Sequence, residues 1–227
     1  MVASNFANVR RVGDVSADAG RGPGQLAWYR FASQFCVGKT VLDAGCGLGM
    51  GLDILKAVAR DAKGQDLDDR LKRDDIIIGG LENIPSKSFD VVVTIDVVEH
   101  VEDDTGFIRQ LGRIARESVF VTTPNWSVTR CTWPYHLREY TAQEFFRLLS
   151  PIGQVNLFKG NGPGTIVHPV RNREAYMAIN RLKNFPPTDY ATRLFSRFCL
   201  PEPARLHSHN AALVEIPSAP AKSGGAA

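Results

Sequence analysis

The sequence lacks the features of membrane-spanning, secreted and nucleic-acid-binding proteins. No apolar run approaches the roughly 20 residues that a bilayer-spanning helix needs. The segment from Met1 to Arg11 has no apolar core of the kind found in secretory signal peptides. A formal net charge of +3 over 227 residues is too small to indicate the clustered basic face that binds nucleic acid. These absences predict a cytoplasmic protein without a membrane span, and they disfavour nucleic acid as a partner.

Cysteine is also scarce, and its spacing excludes the usual cysteine-based sites. The four cysteines form no C-x-x-C pair and lie far apart, at Cys36, Cys46, Cys131 and Cys199. Reduced thiols in an intracellular protein explain this pattern better than a disulfide framework does. Hydrophobic residues make up 44% and charged residues 22% of the chain, as in ordinary globular domains.

Short apolar runs alternate with amphipathic stretches along most of the chain. The run FDVVVTI at Phe89–Ile95 is typical of strands covered on both faces. Thr141 and Glu144 have the spacing of a helix-capping box. Strands separated by helices predict an α/β fold with a doubly wound, mostly parallel sheet. We expect seven strands, at Lys39–Ala44, Ala62–Leu67, Asp75–Gly79, Phe89–Ile95, Ser118–Thr123, Gln154–Phe158 and Ala211–Ile216.

The same rhythm sets the expected domain boundaries. Residues 1–24 are polar and rich in Gly, Ala and Asp and predict a flexible arm, and residues 218–227 predict a disordered tail. One domain is expected over 25–217. Within it, 160–209 breaks the alternation with prolines and two predicted helices, at Glu174–Lys183 and Ala191–Arg197. We expect a helical insertion between the last two strands that covers the acceptor side as a lid, because open α/β sheets bind ligands at their carboxyl edge.

Glycine takes every second position directly after the first predicted strand. Asp43 ends that strand, and Gly45, Gly47, Gly49 and Gly51 follow it. Glycines allow the backbone to approach a ligand closely, and the following helix directs its N-terminal amides into the same space. No reading frame supplies the G-x-G-x-x-G of dinucleotide loops, and the G-K-S/T of P-loops is absent. The loop therefore predicts a nucleoside ligand that is bound without a cradled pyrophosphate, and a dehydrogenase is disfavoured.

An acid follows the glycines at the distance that ribose recognition requires. Asp66 lies about 20 residues further on, the offset at which an acid binds a ribose diol in nucleotide-binding α/β folds. A carboxylate suits this task because it can accept from both hydroxyls. Asp68 and Asp69 lie beside it, so a solvated loop acid is the alternative interpretation.

The stretch VLDAGCGLGMGLDIL, which contains these glycines, resembles the first motif of class I S-adenosylmethionine-dependent methyltransferases. The segments 95–101 (IDVVEHV), 121–125 (VTTPN) and 135–141 (YHLREYT) are similar to the ubiquinone-biosynthesis-type small-molecule O-methyltransferases, and the resemblance covers about 41–152. It implies a Rossmann-like methyltransferase fold and S-adenosyl-L-methionine as cofactor. Gly79 and Gly80 replace an acid that the family often has beside the adenine. The cofactor-binding residues that the resemblance implies are Asp43, Gly45, Cys46, Gly47, Gly49, Asp66, Leu67, Leu81, Glu82 and Ile95.

Methyl transfer to a hydroxyl also requires removal of a proton, and two histidines are candidates for this catalytic role. His100 and His136 follow strand ends, and imidazole titrates near neutral pH. A metal site is an alternative, since Asp96, Glu99 and His100 share one face if a helical turn begins near Asp96, and His136 could complete the set from another loop. Small-RNA 3′-terminal 2′-O-methyltransferases and some quinone O-methyltransferases hold a divalent cation with a comparable E-x-x-E-H set. Asp96 replaces the first glutamate here, so the sequence allows a divalent cation without favouring one.

The leading hypothesis is methylation of a small molecule, most simply at a hydroxyl oxygen. One alternative is methylation of a macromolecule, RNA or a glycan, by way of the basic residues between 171 and 205. Another is a non-catalytic cofactor-binding module that regulates a partner enzyme. A homodimer is compatible with the sequence, and the identity of the acceptor stays open.

Overall fold

The structure, a computed structural model, describes residues 23–71, 73–185, 190–191, 194–195, 198–201 and 205–217. Its strands are β1 (Thr40–Ala44), β2 (Asp61–Asp66), β3 (Ile76–Ile78), β4 (Phe89–Ile95), β5 (Ala115–Pro124), β6 (Gln154–Gly160), β7 (Val167–Pro169) and β8 (His209–Glu215). Its α-helices are α1 (Pro23–Ser33), α2 (Met50–Lys56), α3 (Asp104–Ile114), α4 (Trp126–Thr129), α5 (Ala142–Leu149) and α6 (Arg173–Asn184). Three short 3₁₀ turns cover Leu81–Asn83, Val98–His100 and Ser150–Ile152.

Two predicted segments lie outside the described residues. These are the expected arm, apart from its last two residues, which begin α1, and the expected tail over 218–227. The predicted helix over 191–197 is described only in part. The predicted helix over 174–183 is present as α6, which lies between β7 and β8 in the chain. A lid function for this region stays a prediction.

The eight strands form one sheet in the order β3-β2-β1-β4-β5-β8-β6-β7. Strands β1 to β5 pair in parallel, whereas β8 lies antiparallel between β5 and β6. The expected α/β fold with a mostly parallel sheet is therefore confirmed. Within the described residues the sheet has eight strands rather than the expected seven, because the three-residue β7 pairs with β6 at the edge. A segment so short, with a proline at its end, shows no strand periodicity in the sequence.

Helices cover both faces of the sheet, and alternate residues of β4 point into the two resulting cores. Val92 belongs to the core that contains Leu111 of α3, and Val93 belongs to the core that contains Leu52 of α2. This follows from the period of two in a strand. Each fully buried leucine contributes about 1.5–3 kcal/mol of hydrophobic stabilisation.

The direction of the strands determines which residues reach the ligand-binding edge. The parallel strands all end at the same edge, where residues 45–49, 96 and 125 follow strands and Asp66 ends β2. Because β8 runs the other way, its first residue lies at this edge, and His209 pairs in register with Pro124 at the end of β5. The capping box that the sequence predicts is also present, with Thr141 and Glu144 bonded to each other's backbone amides. Among the described residues, no helix is long and apolar enough to cross a membrane.

Candidate active site

The glycine loop after β1 has the left-handed backbone that its sequence predicts. Gly45, Gly47 and Gly49 have φ angles of 75°, 55° and 77°, which favour glycine. A Cβ atom on Gly45 would lie 2.6 Å from Cγ2 of Val97, so the loop packs tightly there. A Cβ on Gly47 would meet nothing within 4 Å. The backbone at Gly47 is therefore the part of the loop that a ligand can approach.

Asp66 closes this part of the loop, as expected from its place at the end of β2. Its Oδ2 atom accepts from the Gly47 amide at 2.9 Å, and its Oδ1 atom accepts from the Asp68 amide at 3.1 Å. Each carboxylate oxygen has two lone pairs, so these bonds leave acceptor capacity for hydroxyl groups. An open glycine backbone beside a half-buried carboxylate fits a nucleoside with a ribose diol.

Asp43 is held under the loop by a residue that the sequence analysis did not single out. Tyr29 of α1 is fully buried and donates its hydroxyl to Oδ1 of Asp43 at 3.0 Å. The Tyr29 ring also lies directly against Gly51, where no Cβ would fit. One side chain thus fixes both ends of the loop. The sequence gives little indication of this role, because Tyr29 lies in a helix with several aromatic residues, a pattern typical of ordinary core packing.

Arg73 braces the loop from its outer side and was also missed. Its guanidinium donates to the Leu48 carbonyl at 3.2 Å and to Oδ1 of Asp53 at 2.7 Å. It also donates to both oxygens of Asp75. Hydrogen bonds from Lys56 and Arg73 lower the pKa of Asp75 to about 2. The contact joins residues 25 apart, and the local sequence gives no sign of it.

The residues expected near the adenine lie along the same edge. Leu81 is buried at the start of a 3₁₀ turn, and its carbonyl accepts from Arg113 at 2.9 Å. Glu82 is exposed, and Leu67 is half-buried directly after β2. The structure therefore brings Leu67 and Leu81 to the sheet edge that the glycine loop occupies.

Cys46 and Ile95, also expected in the cofactor site, have buried side chains. The Cys46 thiol donates to the Gly47 carbonyl at 3.6 Å and packs against Gly64 of β2. Ile95 is fully buried in the core beneath the sheet edge. Both side chains therefore belong to the core, and a contact of either residue with the cofactor stays a prediction.

The end of β4 brings Glu99, His100 and His136 together. One ligand atom from each lies within 4.8 Å of the others, and the two imidazole rings are 5.0 Å apart between centroids. Glu99 is fully buried and accepts from the Thr123 hydroxyl at 3.2 Å. Both histidines that the sequence proposes as catalytic residues therefore belong to one cluster.

Hydrogen bonds at Nδ1 hold the imidazole rings of both histidines. Nδ1 of His100 lies 3.0 Å from the Tyr135 carbonyl, and Nδ1 of His136 lies 2.7 Å from Oε1 of Glu139. These partners accept only, so we assign a proton to each Nδ1, which places the lone pair on Nε2. Burial opposes the charge on Glu139, but hydrogen bonds from His136 and Thr129 outweigh it and lower the pKa of Glu139.

Asp96, which the sequence analysis grouped with Glu99, points elsewhere in the structure. The expected helical turn is a 3₁₀ turn that begins two residues later, and Asp96 itself has a left-handed φ of 52°. Its Oδ1 atom accepts from the Thr122 hydroxyl at 2.7 Å. Its Oδ2 atom lies 3.4 Å from the Gln25 amide nitrogen and 3.6 Å from Nε2 of His209. Of the four residues that the metal hypothesis names, the structure therefore brings Glu99, His100 and His136 together and places Asp96 elsewhere.

His209 also lies at this edge, as the first residue of β8. The sequence pattern did not indicate a functional role for it, because a single polar residue before a strand is common. Its ring stacks on Trp28, with centroids 6.2 Å apart and planes inclined by 30°. Burial lowers the pKa of His209, but the Asp96 carboxylate outweighs this effect, so the pKa is raised. The edge thus carries a second acid and histidine pair beside the cluster.

Comparison with known proteins agrees with this geometry. Residues 26–158 match the family model described as a methyltransferase domain. A probable S-adenosylmethionine-dependent methyltransferase of Mycobacterium tuberculosis is 35% identical over 150 residues, which cover 59% of this chain and 54% of that protein. A probable S-adenosylmethionine-dependent methyltransferase of Mycolicibacterium smegmatis is 39% identical over 146 residues, which cover 57% of this chain and 56% of that protein. The chain thus spans about half the length of the curated relatives it matches.

A solved structure extends the likeness to the fold. A methyltransferase of Thermotoga maritima, titled as a possible histamine N-methyltransferase, superposes with a TM-score of 0.57 at 11% identity, over 85% of this chain and 89% of its own. At that identity the likeness shows the fold alone. The family match covers more than half of the chain. The chain therefore belongs to the methyltransferase-domain family, and residues 26–158 form an S-adenosylmethionine-dependent methyltransferase domain.

Proposed function

We propose that the whole protein transfers a methyl group to a hydroxyl oxygen of a small molecule, as the ubiquinone-biosynthesis-type O-methyltransferases do. The observation that carries the proposal is the clustering of His100, His136 and Glu99 at the edge that also holds the cofactor loop. A hydroxyl must lose its proton as it is methylated, and imidazole and carboxylate groups are the side chains suited to binding and deprotonating it.

The cofactor residues have distinct parts in this proposal. S-adenosylmethionine supplies an electrophilic methyl group when it is bound. The backbone of 45–49 surrounds its amino-acid end, Asp66 accepts from the ribose hydroxyls, and Leu67 and Leu81 flank the adenine. The open space at Gly47 and the hydrogen bond from its amide to Asp66 support this arrangement.

The acceptor hydroxyl is placed against His100 and His136. Their Nδ1 atoms bond the Tyr135 carbonyl and the Glu139 carboxylate, which fixes both rings and assigns the lone pair of each to Nε2. Fixed rings lower the entropic cost of aligning the acceptor with the methyl group. Two partly exposed aromatic rings beside the cluster, Trp133 at 54% and Tyr135 at 40%, offer a surface for a planar acceptor.

A small acceptor is favoured over RNA by the low net charge of the chain, which is only +3 over 227 residues. Arg173, from the basic stretch that RNA would need, lies over the Phe146 ring at 4.4 Å from its centroid. Arg130, near the cluster, lies over Trp126 at 4.5 Å. Both guanidinium groups thus stack on the protein's own aromatic rings.

A divalent cation is a second proposal at the same place. Glu99, His100 and His136 offer one oxygen and two nitrogen ligands close enough to share an ion. Glu139 behind His136 gives the carboxylate–imidazole arrangement that orients metal ligands. Such a mixed set suits Zn²⁺ or a similar transition metal, which would bind the acceptor oxygen and lower its pKa.

Radiolabelled S-adenosylmethionine tests the reaction directly. The purified protein is incubated with catechol, with methyl glucoside and, separately, with bulk RNA. Label in a hydroxyl of catechol or of the glucoside supports the proposal. Label in RNA alone would establish the macromolecular alternative. A protein that binds S-adenosylhomocysteine but labels none of the three overturns the proposal and favours a regulatory module.

Chelation separates the two versions of the acceptor site. If a cation is bound, EDTA dialysis abolishes transfer, added Zn²⁺ or Mn²⁺ restores it, and Glu99→Gln prevents the restoration. If the histidines act without metal, the rate is unchanged by EDTA. Affinity for S-adenosylhomocysteine is the control, because the glycine loop lies outside the cluster.

A further inference from the structure

A helical stretch between α6 and β8 carries an exposed apolar face. Residues 190, 191, 194, 195 and 198 are helical and exposed. At about 100° per residue, these positions fall within one face of a helix about 140° wide. The large side chains of this aromatic face are Tyr190, Leu194, Phe195 and Phe198, with exposed fractions of 74%, 41%, 56% and 73%. The proposed function leaves the aromatic face without a role.

The end of α6 adds further exposed apolar side chains in the same stretch of chain. Leu182 is 53% exposed and Phe185 is 58% exposed. An apolar stripe on a helix of a globular protein normally packs against the core. Single exposed apolar residues are common, but a concentration of them in one segment marks a surface that binds a partner.

Both ends of this segment are bonded to the carboxyl edge of the sheet. At its start, the Asn184 amide donates to the Ser127 hydroxyl at 3.2 Å, and Arg130 donates to the Asn184 side-chain oxygen at 3.2 Å. At its end, the side chain of Asn125 donates to the His207 carbonyl at 3.0 Å. Asn125 directly follows β5. The segment therefore leaves from, and returns to, the edge that holds the cofactor loop and the acceptor cluster.

The same stretch of chain is positively charged. Residues 181–198 contain four basic residues and one acidic residue, a net charge of +3 that equals the net charge of the whole chain. Arg181, in the last turn of α6, is exposed. Aromatic and leucine side chains interleaved with basic residues are typical of helices that lie in the headgroup region of anionic membranes. The basic residues attract the lipid phosphates, and the rings enter the boundary of the acyl chains.

Other occupants of the aromatic face match this composition less well. A second copy of the chain would place one basic stretch against another, which like-charge repulsion opposes. The chain's own outer segments offer no acidic surplus, because residues 1–22 contain three basic and two acidic residues and residues 218–227 contain one lysine and no acid. Single-stranded nucleic acid would suit the charge and the rings, but leucine provides neither a stacking ring nor a polar group for a base.

We propose that the aromatic face docks the protein onto an anionic lipid surface. The rings and Leu194 enter the headgroup region, and the basic residues of 181–198 attract the lipid phosphates. Because the segment leaves from the carboxyl edge, docking turns that edge toward the membrane. The proposal is independent of the acceptor, since binding to vesicles is measured without methyl transfer.

Co-sedimentation with vesicles tests this proposal. The full chain is mixed with vesicles of phosphatidylcholine alone, or of equal parts phosphatidylcholine and phosphatidylglycerol. We expect binding to the anionic vesicles that is about tenfold or more tighter than to the neutral ones and that weakens at high salt. Combining Phe195→Ser with Phe198→Ser removes two rings at constant charge and should weaken binding about tenfold or more. Val37→Ser is the matched control, because Val37 is 63% exposed just before β1, at the opposite edge, and should bind as wild type does.

A fluorescent reporter distinguishes docking through the aromatic face from docking through another surface. In Tyr190→Trp, the added tryptophan emission, measured against wild type, should shift to shorter wavelength with anionic vesicles and be quenched by brominated lipid. Unchanged emission from vesicle-bound protein would overturn the proposal. So would a folded wild type that does not sediment with anionic vesicles, or a double serine variant that binds as tightly as wild type. A wild type that ignores vesicles but forms a dimer that the double variant lacks would make the aromatic face a subunit interface instead.

Discussion

At each end of β4 an aspartate accepts a hydrogen bond from a threonine hydroxyl, but the two aspartates face different charged partners. Asp90 near its start accepts from the Thr40 hydroxyl at 2.8 Å, and Asp96 just beyond its end accepts from the Thr122 hydroxyl at 2.7 Å. In both cases the threonine lies on a neighbouring strand. The aspartates thus tie β4 to β1 at one edge of the sheet and to β5 at the other.

The difference lies in the groups that face the two carboxylates. Asp90 meets two guanidinium groups, Arg116 at 2.8 Å and Arg60 at 3.3 Å, which keep their charge at every pH that the fold survives. Asp96 meets His209, and this carboxylate raises the pKa of the imidazole. The partner of Asp90 is therefore a pair of fixed cations, whereas the partner of Asp96 is a ring whose charge depends on pH.

The largest expected effect compares Asp96→Asn with Asp90→Asn in methyl transfer. Asp96 lies at the carboxyl edge that holds the cofactor loop, so we expect methyl transfer by Asp96→Asn to fall about 10-fold or more. Because the Asp96 carboxylate raises the pKa of His209, that pKa falls in the variant, and an NMR titration of His209 should show a lower midpoint. Asp90→Asn keeps the wild-type rate per folded molecule. An equal loss in both variants would remove the functional distinction between the edges.

The next effect concerns stability, for which we expect the larger loss in Asp90→Asn and the smaller loss in Asp96→Asn. Asp90→Asn loses charge-assisted bonds with Arg116, so the free energy of unfolding in urea should fall by about 1–3 kcal/mol. Asp96→Asn should fall by less, because Thr122 and Gln25 still have an oxygen to bond.

The stability loss in Asp90→Asn depends on pH in a defined direction. The Thr40 backbone amide and hydroxyl and Arg116 together lower the pKa of Asp90 to about 2. Since this folded-state pKa is below the unfolded value, the contribution is fully present above about pH 4. It is lost as pH falls toward 2. A difference from wild type that stays constant over this range would contradict the assigned cause.

The smallest expected effect on stability concerns an ion pair at the edge of the sheet where the parallel strands begin. Lys39 and Glu117 form an ion pair there, but their side chains are 38% and 51% exposed. Lys39→Met should lower the free energy of unfolding by about 0.5 kcal/mol or less, because solvent screens the pair. A loss as large as that of Asp90→Asn would show that charge alone, rather than burial with hydrogen bonding, stabilises this edge.

The sequence was sufficient for features that depend on neighbouring residues. The bounds of β4, the capping box at Thr141 and the left-handed glycines from Gly45 to Gly49 all follow from local patterns. Asp66 was found because its offset from the glycines reflects one strand–helix–strand unit.

Long-range contacts were beyond the reach of local patterns. Gln25 and Asp96 are 71 residues apart, and the contact of His209 with Asp96 needs β8 inserted antiparallel beside β5. The direction of the Asp96 side chain depends on its left-handed φ angle. Aspartate can adopt this angle, but the sequence does not predict it at this position. The metal hypothesis therefore included Asp96, whereas the structure brings together its other three members, Glu99, His100 and His136.

The most direct test of the central claim is calorimetric titration with S-adenosylhomocysteine. Wild type is compared with Asp66→Asn, which keeps an acceptor for the Gly47 amide, and with Asp69→Asn as a control at an exposed neighbouring acid. We predict micromolar binding by wild type and by Asp69→Asn. Binding by Asp66→Asn should be weaker by about 1.4 kcal/mol or more, a factor of ten. A folded wild type that does not bind, or equal binding by Asp66→Asn, would contradict the assignment of the loop and Asp66 to the cofactor.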